Sequence, residues 1–204
     1  DYVFASSMAY AKQLAEGFGC TLDKIRIFSL PRVDLLTSEE YKKMIVEKIE
    51  EKYPVTAKKK NILYCPTFRK DERRLKEEIY KMIKEVDFNK YNLIKEFSSM
   101  DMLFIADYVI SDYSCIIYEA SILKIPLFFL AFDLQEYINK RGLTIDYKKE
   151  LPGIVSKDAK KIIEAINSDK YNIEEVEQFR KKYVTNIKDC TEKILEFVDK
   201  IMKE

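Results

Sequence analysis

Short apolar runs alternate along this chain with longer amphipathic stretches that are rich in lysine and glutamate. The apolar runs have the length of buried strands, and the amphipathic stretches repeat with the period of surface helices. The predicted strands are residues 1–6, 24–28, 61–65, 91–95, 108–111 and 126–130. The predicted helices are residues 7–18, 38–52, 72–86, 99–106, 113–123, 157–167, 173–184 and 189–202. Gly19 is expected to end the first of them, and Ser38 to be the N-cap of the second. This alternation is typical of βα units, so the sequence predicts an α/β fold with a Rossmann-like parallel sheet.

Composition and charge exclude several classes of protein. Hydrophobic residues make up 47% and charged residues 35% of the chain, which fits a packed domain with a charged surface. The net charge of +1 gives no long-range field for duplex DNA, so we expect no nucleic-acid partner. The longest apolar stretch, residues 125–132, is too short to span a bilayer. The four cysteines form no CxxC pair, so we expect a soluble cytoplasmic protein with reduced thiols.

The chain contains no histidine, the residue that most often acts as a general base at neutral pH. A Ser-His-Asp arrangement or an imidazole-ligated metal is therefore excluded within these residues. Asp112, Asp133 and Asp146 are expected on separate strand ends, so we expect no metal site. We expect no cofactor either. Either carboxylates perform the chemistry, or residues outside this sequence do, or the chain only binds a ligand.

Polar side chains follow the predicted strands at 61–65 and 108–111, where ligands of parallel sheets bind. Thr67 and Arg69 offer a hydroxyl and a guanidinium to an anion, although an ordinary turn with a surface arginine fits as well. Ser114 and the amide of Cys115 are placed to contact a phosphate at the start of a helix. The alternative is that Ser114 only caps that helix.

Three further positions complete the candidate site. Glu119 lies about one turn beyond Ser114, where its carboxylate could accept ribose hydroxyls or could simply be solvated. Asp133 follows the buried strand at 126–130, and Arg141 comes two turns later, before Gly142. The arginine could equally be the cation at a helix C-terminus. A separate cluster, Arg32 with Asp34 after Pro31, is either functional or a rigid turn with a local ion pair.

Four segments, in the same order along the chain, resemble those of the CDP-glycerol glycerophosphotransferase family, the teichoic-acid polymerases and primases of Gram-positive bacteria. They are Pro31-Arg32-Val33-Asp34, residues 63–69, Ser111-Asp112-Tyr113-Ser114-Cys115, and the run from Phe132 through Arg141-Gly142 to Leu151-Pro152-Gly153. The sequence departs from the family pattern at Ser29 and Leu30, where the family has a glycine-containing lead-in, and at Cys115, where it has serine. Cysteine is a poorer hydrogen-bond donor but keeps the backbone amide.

The resemblance implies the GT-B fold, in which two Rossmann-like halves face a cleft. Residues 1–36 are similar to the tail of the N-terminal, acceptor-side half, and residues 37–60 form a linker helix and linker. Residues 61–204 are similar to the C-terminal, donor-binding half. Thr67, Ser114, the amide of Cys115 and Arg141 would hold the pyrophosphate, with Asp112 in the same motif. Glu119 would hold the ribose, and Arg69 and Asp133 would line the cleft.

The implied reaction is transfer of polyol phosphate, glycerol phosphate first, from a CDP-polyol to a polyol-phosphate or lipid-linked acceptor with release of CMP. Such an enzyme would work in the cytoplasm at the inner face of the membrane, as a peripheral protein. Two alternatives stay open: a GT-B sugar-nucleotide glycosyltransferase, and a silent nucleotide-binding module. Preference for cytidine or uridine nucleotides would distinguish the glycosyltransferase from the CDP-polyol transferase that the resemblance implies.

The histidines of the family are missing from this sequence, so no catalytic residue is assigned to it. One family histidine precedes the segment matched here, and another lies in a Leu-His-Pro segment after the strand matched by residues 91–95. At that point Lys95 is followed directly by Glu96, almost without a loop between strand and helix. We expect a loop of the family to be absent between these two residues.

Overall fold

A computed structural model of the chain describes residues 1–67 and 96–203, and the isolated positions Arg73, Lys76, Glu77, Tyr80 and Lys84 between them. These five positions are helical, in agreement with the predicted helix at 72–86. The predicted strand at 91–95 and the candidate residue Arg69 lie outside the described residues. The same holds for Lys95, on one side of the proposed missing loop.

The chain begins with a two-stranded parallel sheet and its connecting helix. Strands β1 (Val3–Ala5) and β2 (Ile25–Ile27) pair in parallel, with α1 (Met8–Phe18) between them. Helix α1 ends, as predicted, at Gly19, whose φ of 62° is a left-handed conformation that favours glycine. Ala residues of β1 and α1 and one isoleucine of β2 form a small core: Ala5, Ala11, Ala15 and Ile25.

Two helices lead from this unit to the second sheet. Helix α3 (Glu39–Lys52) begins at Ser38, whose hydroxyl accepts the Tyr41 amide at 3.2 Å, and this confirms the predicted cap. The segment before it was predicted as a turn but forms a short helix, α2 (Arg32–Leu36). Pro31 precedes α2 with helical backbone angles, because its ring fixes φ near the helical value.

The second sheet has four described strands in the order β3, β4, β5, β6, all parallel. They are β3 (Ile62–Cys65), β4 (Tyr108–Ser111), β5 (Leu127–Leu130) and β6 (Gly153–Ser156). Every residue of β4 and β5 is buried, as expected for strands covered on both faces. Strand β6 was not predicted from the sequence. Its first residue must be glycine, since a Cβ at Gly153 would lie 2.1 Å from the Leu127 carbonyl oxygen.

Among the described residues, five further helices pack against this sheet: α4 (Ser99–Met102), α5 (Ile116–Ile122), α6 (Leu134–Arg141), α7 (Ala159–Asn167) and α8 (Ile173–Tyr183). A last helix, α9 (Cys190–Lys203), follows them. Alternate strand residues serve opposite faces. Val109, Leu127 and Phe129 pack with α5 and α8, while Ile110 and Phe128 pack with α7. The α/β class with a parallel sheet is thus confirmed.

The last helix returns to the first sheet. The Phe197 ring of α9 lies 5.1 Å from the ring of Tyr2 and 5.5 Å from that of Phe28, measured between centroids. The Thr185 amide donates to the Ser6 carbonyl at 3.0 Å. The two sheets are therefore joined through the end of the chain, while the domain boundaries proposed from the sequence stay a prediction.

No helix among the described residues is long and apolar enough to cross a membrane. The four cysteines are free, and they range from the exposed Cys115 to the buried Cys190.

Candidate functional site

The carboxyl ends of β3, β4 and β5 meet at one edge of the parallel sheet, and the residues that follow them are linked by hydrogen bonds. Both the backbone amide and the hydroxyl of Thr67, after β3, donate to Oδ1 of Asp112, after β4, each at 2.7 Å. The Tyr113 amide donates to the same oxygen at 2.5 Å. Asp112 is completely buried. Its carboxylate therefore anchors the loop after β3 to the loop after β4.

The third strand end joins this network through tyrosines. The Tyr113 hydroxyl donates to Oδ1 of Asp133 at 2.9 Å, and the Tyr113 ring stacks on Tyr137 of α6 with centroids 3.9 Å apart. The Tyr147 hydroxyl donates to the Asp112 carbonyl at 2.6 Å. Burial, followed by the charge of Asp112, raises the pKa of Tyr147, so its hydroxyl stays a donor at neutral pH. The predicted residues Thr67, Asp112 and Asp133 thus lie in one connected network.

Sequence reasoning missed the two tyrosines that complete this network. Tyr113 lies inside the Ser-Asp-Tyr-Ser motif, so its position was available, but its partner Asp133 is separated from it by α5 and β5. Tyr147 lies between the matched pieces Arg141-Gly142 and Leu151-Pro152-Gly153, where the resemblance specifies no residue.

Ser114 and Cys115 form the turn that leads into α5. The Ser114 hydroxyl accepts the Ile116 amide at 3.4 Å, a long contact that fits the capping alternative. Cys115 is exposed at the N-cap position. Helix α5 has only seven residues, so the local amides and the Ser114 hydroxyl matter more here than a helix dipole.

Glu119 lies on α5 and is not solvated. The residue is only 9% exposed, and its Oε1 lies 2.8 Å from Nη2 of Arg32 in α2. Burial raises the pKa of Glu119, against the opposing effects of a backbone hydrogen bond and of the Arg32 charge. The solvated alternative for Glu119 is therefore wrong.

Arg32 and Asp34 do not form the local ion pair that was one interpretation of their segment. Arg32 pairs with Glu119, whereas the Asp34 carboxylate accepts the Cys190 and Thr191 amides at 2.8 Å each and the Thr191 hydroxyl at 2.7 Å. Burial would raise the pKa of Asp34, but these hydrogen bonds outweigh it and lower the pKa below its ordinary value. Asp34 thus caps α9 from a distant part of the sequence.

Arg141 is the last residue of α6 and is exposed. Gly142 follows it with a φ of 71°, which fits the C-terminal alternative. The eight residues of α6 extend about 12 Å from the Asp133 loop. Within the part of the chain that the structure describes, Arg141 is not part of the hydrogen-bonded network, and its predicted contact with a pyrophosphate stays a prediction.

A pocket of about 390 Å³ adjoins the network at the ends of β5 and β6. It is lined by Ala131, Leu134, Tyr147, Lys148, Gly153, Val155, Ser156 and Lys157. Tyr147 belongs both to this pocket and to the Asp112 network. Among residues 1–67 and 96–203, no group of three or more His, Cys, Asp or Glu side chains could hold a metal ion.

Comparison with known proteins identifies a family and several relatives. The model of the CDP-glycerol:poly(glycerophosphate) glycerophosphotransferase family matches residues 1–100 and 93–200. The teichoic acid poly(ribitol-phosphate) polymerase of Bacillus spizizenii is 29% identical over 87% of this chain and 33% of its own length. The teichoic acid glycerol-phosphate primase of Bacillus subtilis is 30% identical over 90% of this chain and 53% of its own length. The chain thus spans about a third to a half of these relatives.

Solved structures agree on the fold. A structure of the wall teichoic acid polymerase TagF superposes on all of this chain and 58% of its own with a TM-score of 0.80 at 21% identity. A TagF variant soaked with CDPG gives a TM-score of 0.78 at 22% identity. At such identities the likeness establishes the fold, and it confirms the GT-B type predicted from the motifs.

The relatives contain residues that this sequence lacks. The alignment with the teichoic acid ribitol-phosphate primase of Bacillus spizizenii extends over 233 positions, although the chain has 204 residues. The two segments matched by the family model overlap at residues 93–100, around the Lys95–Glu96 junction. The overlap supports the expectation that a segment is absent there, whereas the alignment length shows only that the primase has additional residues within the aligned region.

Proposed function

The chain belongs to the CDP-glycerol:poly(glycerophosphate) glycerophosphotransferase family, and we propose that it forms the donor-binding part of a polyol-phosphate transferase. The donor would be a CDP-polyol, the acceptor a growing polyol-phosphate or lipid-linked chain, and CMP the product. The observation that carries this proposal is the joining of the loops after β3, β4 and β5 through Asp112 and Tyr113. Ligands of parallel α/β sheets bind at such an edge.

Features next to the network suit the pyrophosphate, the ribose and the base of the donor. The Ser114 hydroxyl and the Cys115 amide suit the pyrophosphate, as the family motif implies. Glu119, about one helical turn further, suits the ribose. The neighbouring pocket of about 390 Å³ has room for a nucleoside base. Asp112 and Thr67 would hold these loops in place rather than contact phosphate directly, because the Thr67 hydroxyl already donates to Asp112.

The proposed reaction is attack of an acceptor hydroxyl on the β-phosphorus of the donor. Such transfers depend on positioning and on neutralising the developing charge more than on covalent catalysis. The resemblance assigns this task to Arg141 and to the start of the helix at Ser114, while Arg69 would line the cleft. Since the sequence has no histidine, a general base of that type must come from outside it. We therefore expect this chain to bind CDP or CMP without turning over by itself.

The proposal also concerns which polyol the donor carries and where in the cell the enzyme acts. The relatives' names include both ribitol-phosphate and glycerol-phosphate enzymes, so either CDP-polyol is a candidate donor. Contact with the inner face of the membrane would follow from a lipid-linked acceptor. Helix α9 carries lysines on one side and apolar residues on another, which suits such a surface, although glutamates balance its charge.

Isothermal titration calorimetry of the 204-residue chain tests the proposal. CDP-glycerol, CDP-ribitol, CDP and UDP should be titrated under identical salt. Tighter binding of the three cytidine nucleotides than of UDP supports it. Equal affinity for CDP and UDP would favour the sugar-nucleotide alternative, and absence of all binding would contradict the proposal.

A further inference from the structure

The Glu119 carboxylate uses its two oxygens unequally. Oε1 forms the ion pair with Arg32 at 2.8 Å, whereas Oε2 is buried and has no hydrogen-bond partner among the described residues. A buried acceptor left unpaired costs about 1–3 kcal/mol. Folded proteins keep such a group mainly where a ligand or an ordered water completes it. The second oxygen therefore marks a position for a hydrogen-bond donor that comes from outside the chain.

The spacing between the Ser114–Cys115 turn and Glu119 matches that between the phosphates and the ribose of a nucleotide. Cys115 is exposed, and Glu119 lies four residues later on the same face of α5. One helical turn, about 5.4 Å along the helix axis, separates Cys115 from Glu119. A nucleotide whose phosphates contact the Ser114–Cys115 turn would carry its ribose toward Glu119.

Arg32 reaches this carboxylate from a fixed piece of backbone. Pro31 restricts the chain immediately before it, and Asp34 accepts three hydrogen bonds from the start of α9 two residues after it. The Arg32 side chain is 51% exposed, while that of Glu119 is 11% exposed. The guanidinium thus keeps much of its hydration, and the carboxylate depends on it for compensation of burial.

We infer that Arg32 is a positioning residue of the donor site, which holds Glu119 charged and oriented so that Oε2 accepts a ribose hydroxyl of the bound cytidine nucleotide. The inference rests on the proposed function and adds to it a specific role for the Pro31-Arg32-Val33-Asp34 segment. Since Arg32 lies outside the four-stranded unit, it also links nucleotide binding to the placement of the N-terminal segment.

The charges around Glu119 make the inference testable by pH. Burial raises the pKa of Glu119 and Arg32 lowers it, so loss of Arg32 should raise it further. Binding that needs the ionised carboxylate should then weaken at a higher pH. On α5 itself, Cys115 and Tyr118 interact electrostatically with Glu119. The elements packed against α5 also carry charged or titratable residues, namely Asp34 on α2, Asp101 on α4, Tyr108 on β4, and Glu174, Glu175, Glu177, Arg180, Lys181, Lys182 and Tyr183 on α8. All of them are retained when only Arg32 is replaced.

Calorimetry with CDP and 2′,3′-dideoxy-CDP on Arg32→Gln, Arg32→Lys and the control Arg26→Gln tests this role. Arg26 lies on β2, where its guanidinium contacts the Tyr2 ring and the Asp23 carbonyl. We expect Arg32→Gln to bind CDP about tenfold more weakly, the equivalent of about 1.4 kcal/mol, and to bind dideoxy-CDP as the wild type does. The lower pH limit of CDP binding should move upward. Arg32→Lys keeps the charge but loses the planar guanidinium, so it should fall between the wild type and Arg32→Gln in both properties. Arg26→Gln should change neither.

Several outcomes would overturn the inference. Equal weakening of CDP and dideoxy-CDP by Arg32→Gln would show a structural role only, and so would an unchanged pH limit. Unchanged CDP affinity of a folded Arg32→Gln variant would refute it while the proposed function stands. Failure of the wild type to bind CDP would refute both. If Arg32→Gln unfolds in a thermal melt, Arg32→Lys decides: a smaller preference for CDP over dideoxy-CDP than in wild type supports the inference, and an identical preference refutes it.

Discussion

Thr67 donates both its backbone amide and its hydroxyl to a single oxygen of Asp112, each across 2.7 Å. The two residues follow neighbouring parallel strands. Their contact therefore joins the two loops at the edge of the sheet where the candidate site lies. The Tyr113 amide donates to the same oxygen, so Oδ1 of Asp112 already accepts three hydrogen bonds from the protein. It shapes the site and leaves ligand contact to its neighbours.

Asp112→Ala should destabilise the fold strongly. The substitution leaves the Thr67 and Tyr113 amides without their acceptor, and each buried unpaired group costs about 1–3 kcal/mol. We expect the free energy of unfolding to fall by about 3 kcal/mol in urea titrations followed by circular dichroism. Thr67→Val removes only the hydroxyl bond and should cost about 1 kcal/mol. A loss for Asp112→Ala no larger than for Thr67→Val would contradict the anchoring role.

Arg141→Ala should weaken CDP binding tenfold or more if the guanidinium reaches the pyrophosphate, which corresponds to about 1.5–3 kcal/mol. The matched control is Lys140→Ala, on the same exposed helix end, where the lysine pairs with Glu136 at 2.7 Å. Both variants should melt at nearly the wild-type temperature. Similar CDP affinity for the two variants would remove Arg141 from the site and leave it as the cation of the α6 C-terminus.

Glu119 should make stability depend on pH in a particular direction. Its folded pKa is raised by burial, so the folded state holds a proton that the unfolded state releases from its ordinary pKa of about 4.3. Stability should therefore fall as the pH rises from that value through the raised folded pKa. Glu119→Gln should lack this fall when unfolding is measured across pH 4 to 8. A variant curve parallel to that of the wild type would contradict the assignment.

Asp34 should act in the opposite direction at lower pH. Its folded pKa is depressed, so its contribution to stability is complete above the ordinary aspartate pKa of about 3.9 and is lost as the pH falls through the lowered value. Asp34→Ala removes the cap of α9 and should cost about 0.5–2 kcal/mol at neutral pH. It should also flatten the acid limb of the stability curve. The exposed cap Asp158, whose carboxylate accepts the Lys160 amide at 3.0 Å, provides the control substitution.

The sequence predicted those parts of the fold that depend on local patterns. The order of strands and helices, the Ser38 cap and the Gly19 terminus follow from periodicity and cap chemistry within a few residues. Strand β6 was not predicted because Pro152 and Gly153 are residues typical of a loop. Glycine is needed at position 153 because the Leu127 carbonyl of another strand lies too close for a side chain. Such a contact has no local signal.

The candidate site divides in the same way. The placement of Thr67, Asp112 and Asp133 at one edge of the sheet could be predicted because each follows a predicted strand, and parallel strands end at one edge. Their part in ligand binding, and that of Ser114, stays a prediction. The partners of Arg32 and Asp34 were not found, since Glu119 and Thr191 lie far along the sequence and only packing brings them close. Motif position located the polar groups, but it could not tell which of them the protein itself uses.

We propose that the loops after β3, β4 and β5 form one diphosphate site. Hydrogen–deuterium exchange of the chain with and without saturating CDP distinguishes one shared site from separate surfaces. We expect joint protection of residues 64–67, 111–119 and 131–137, with little change in α7. Protection of only one of these loops, or protection confined to another surface, would contradict it.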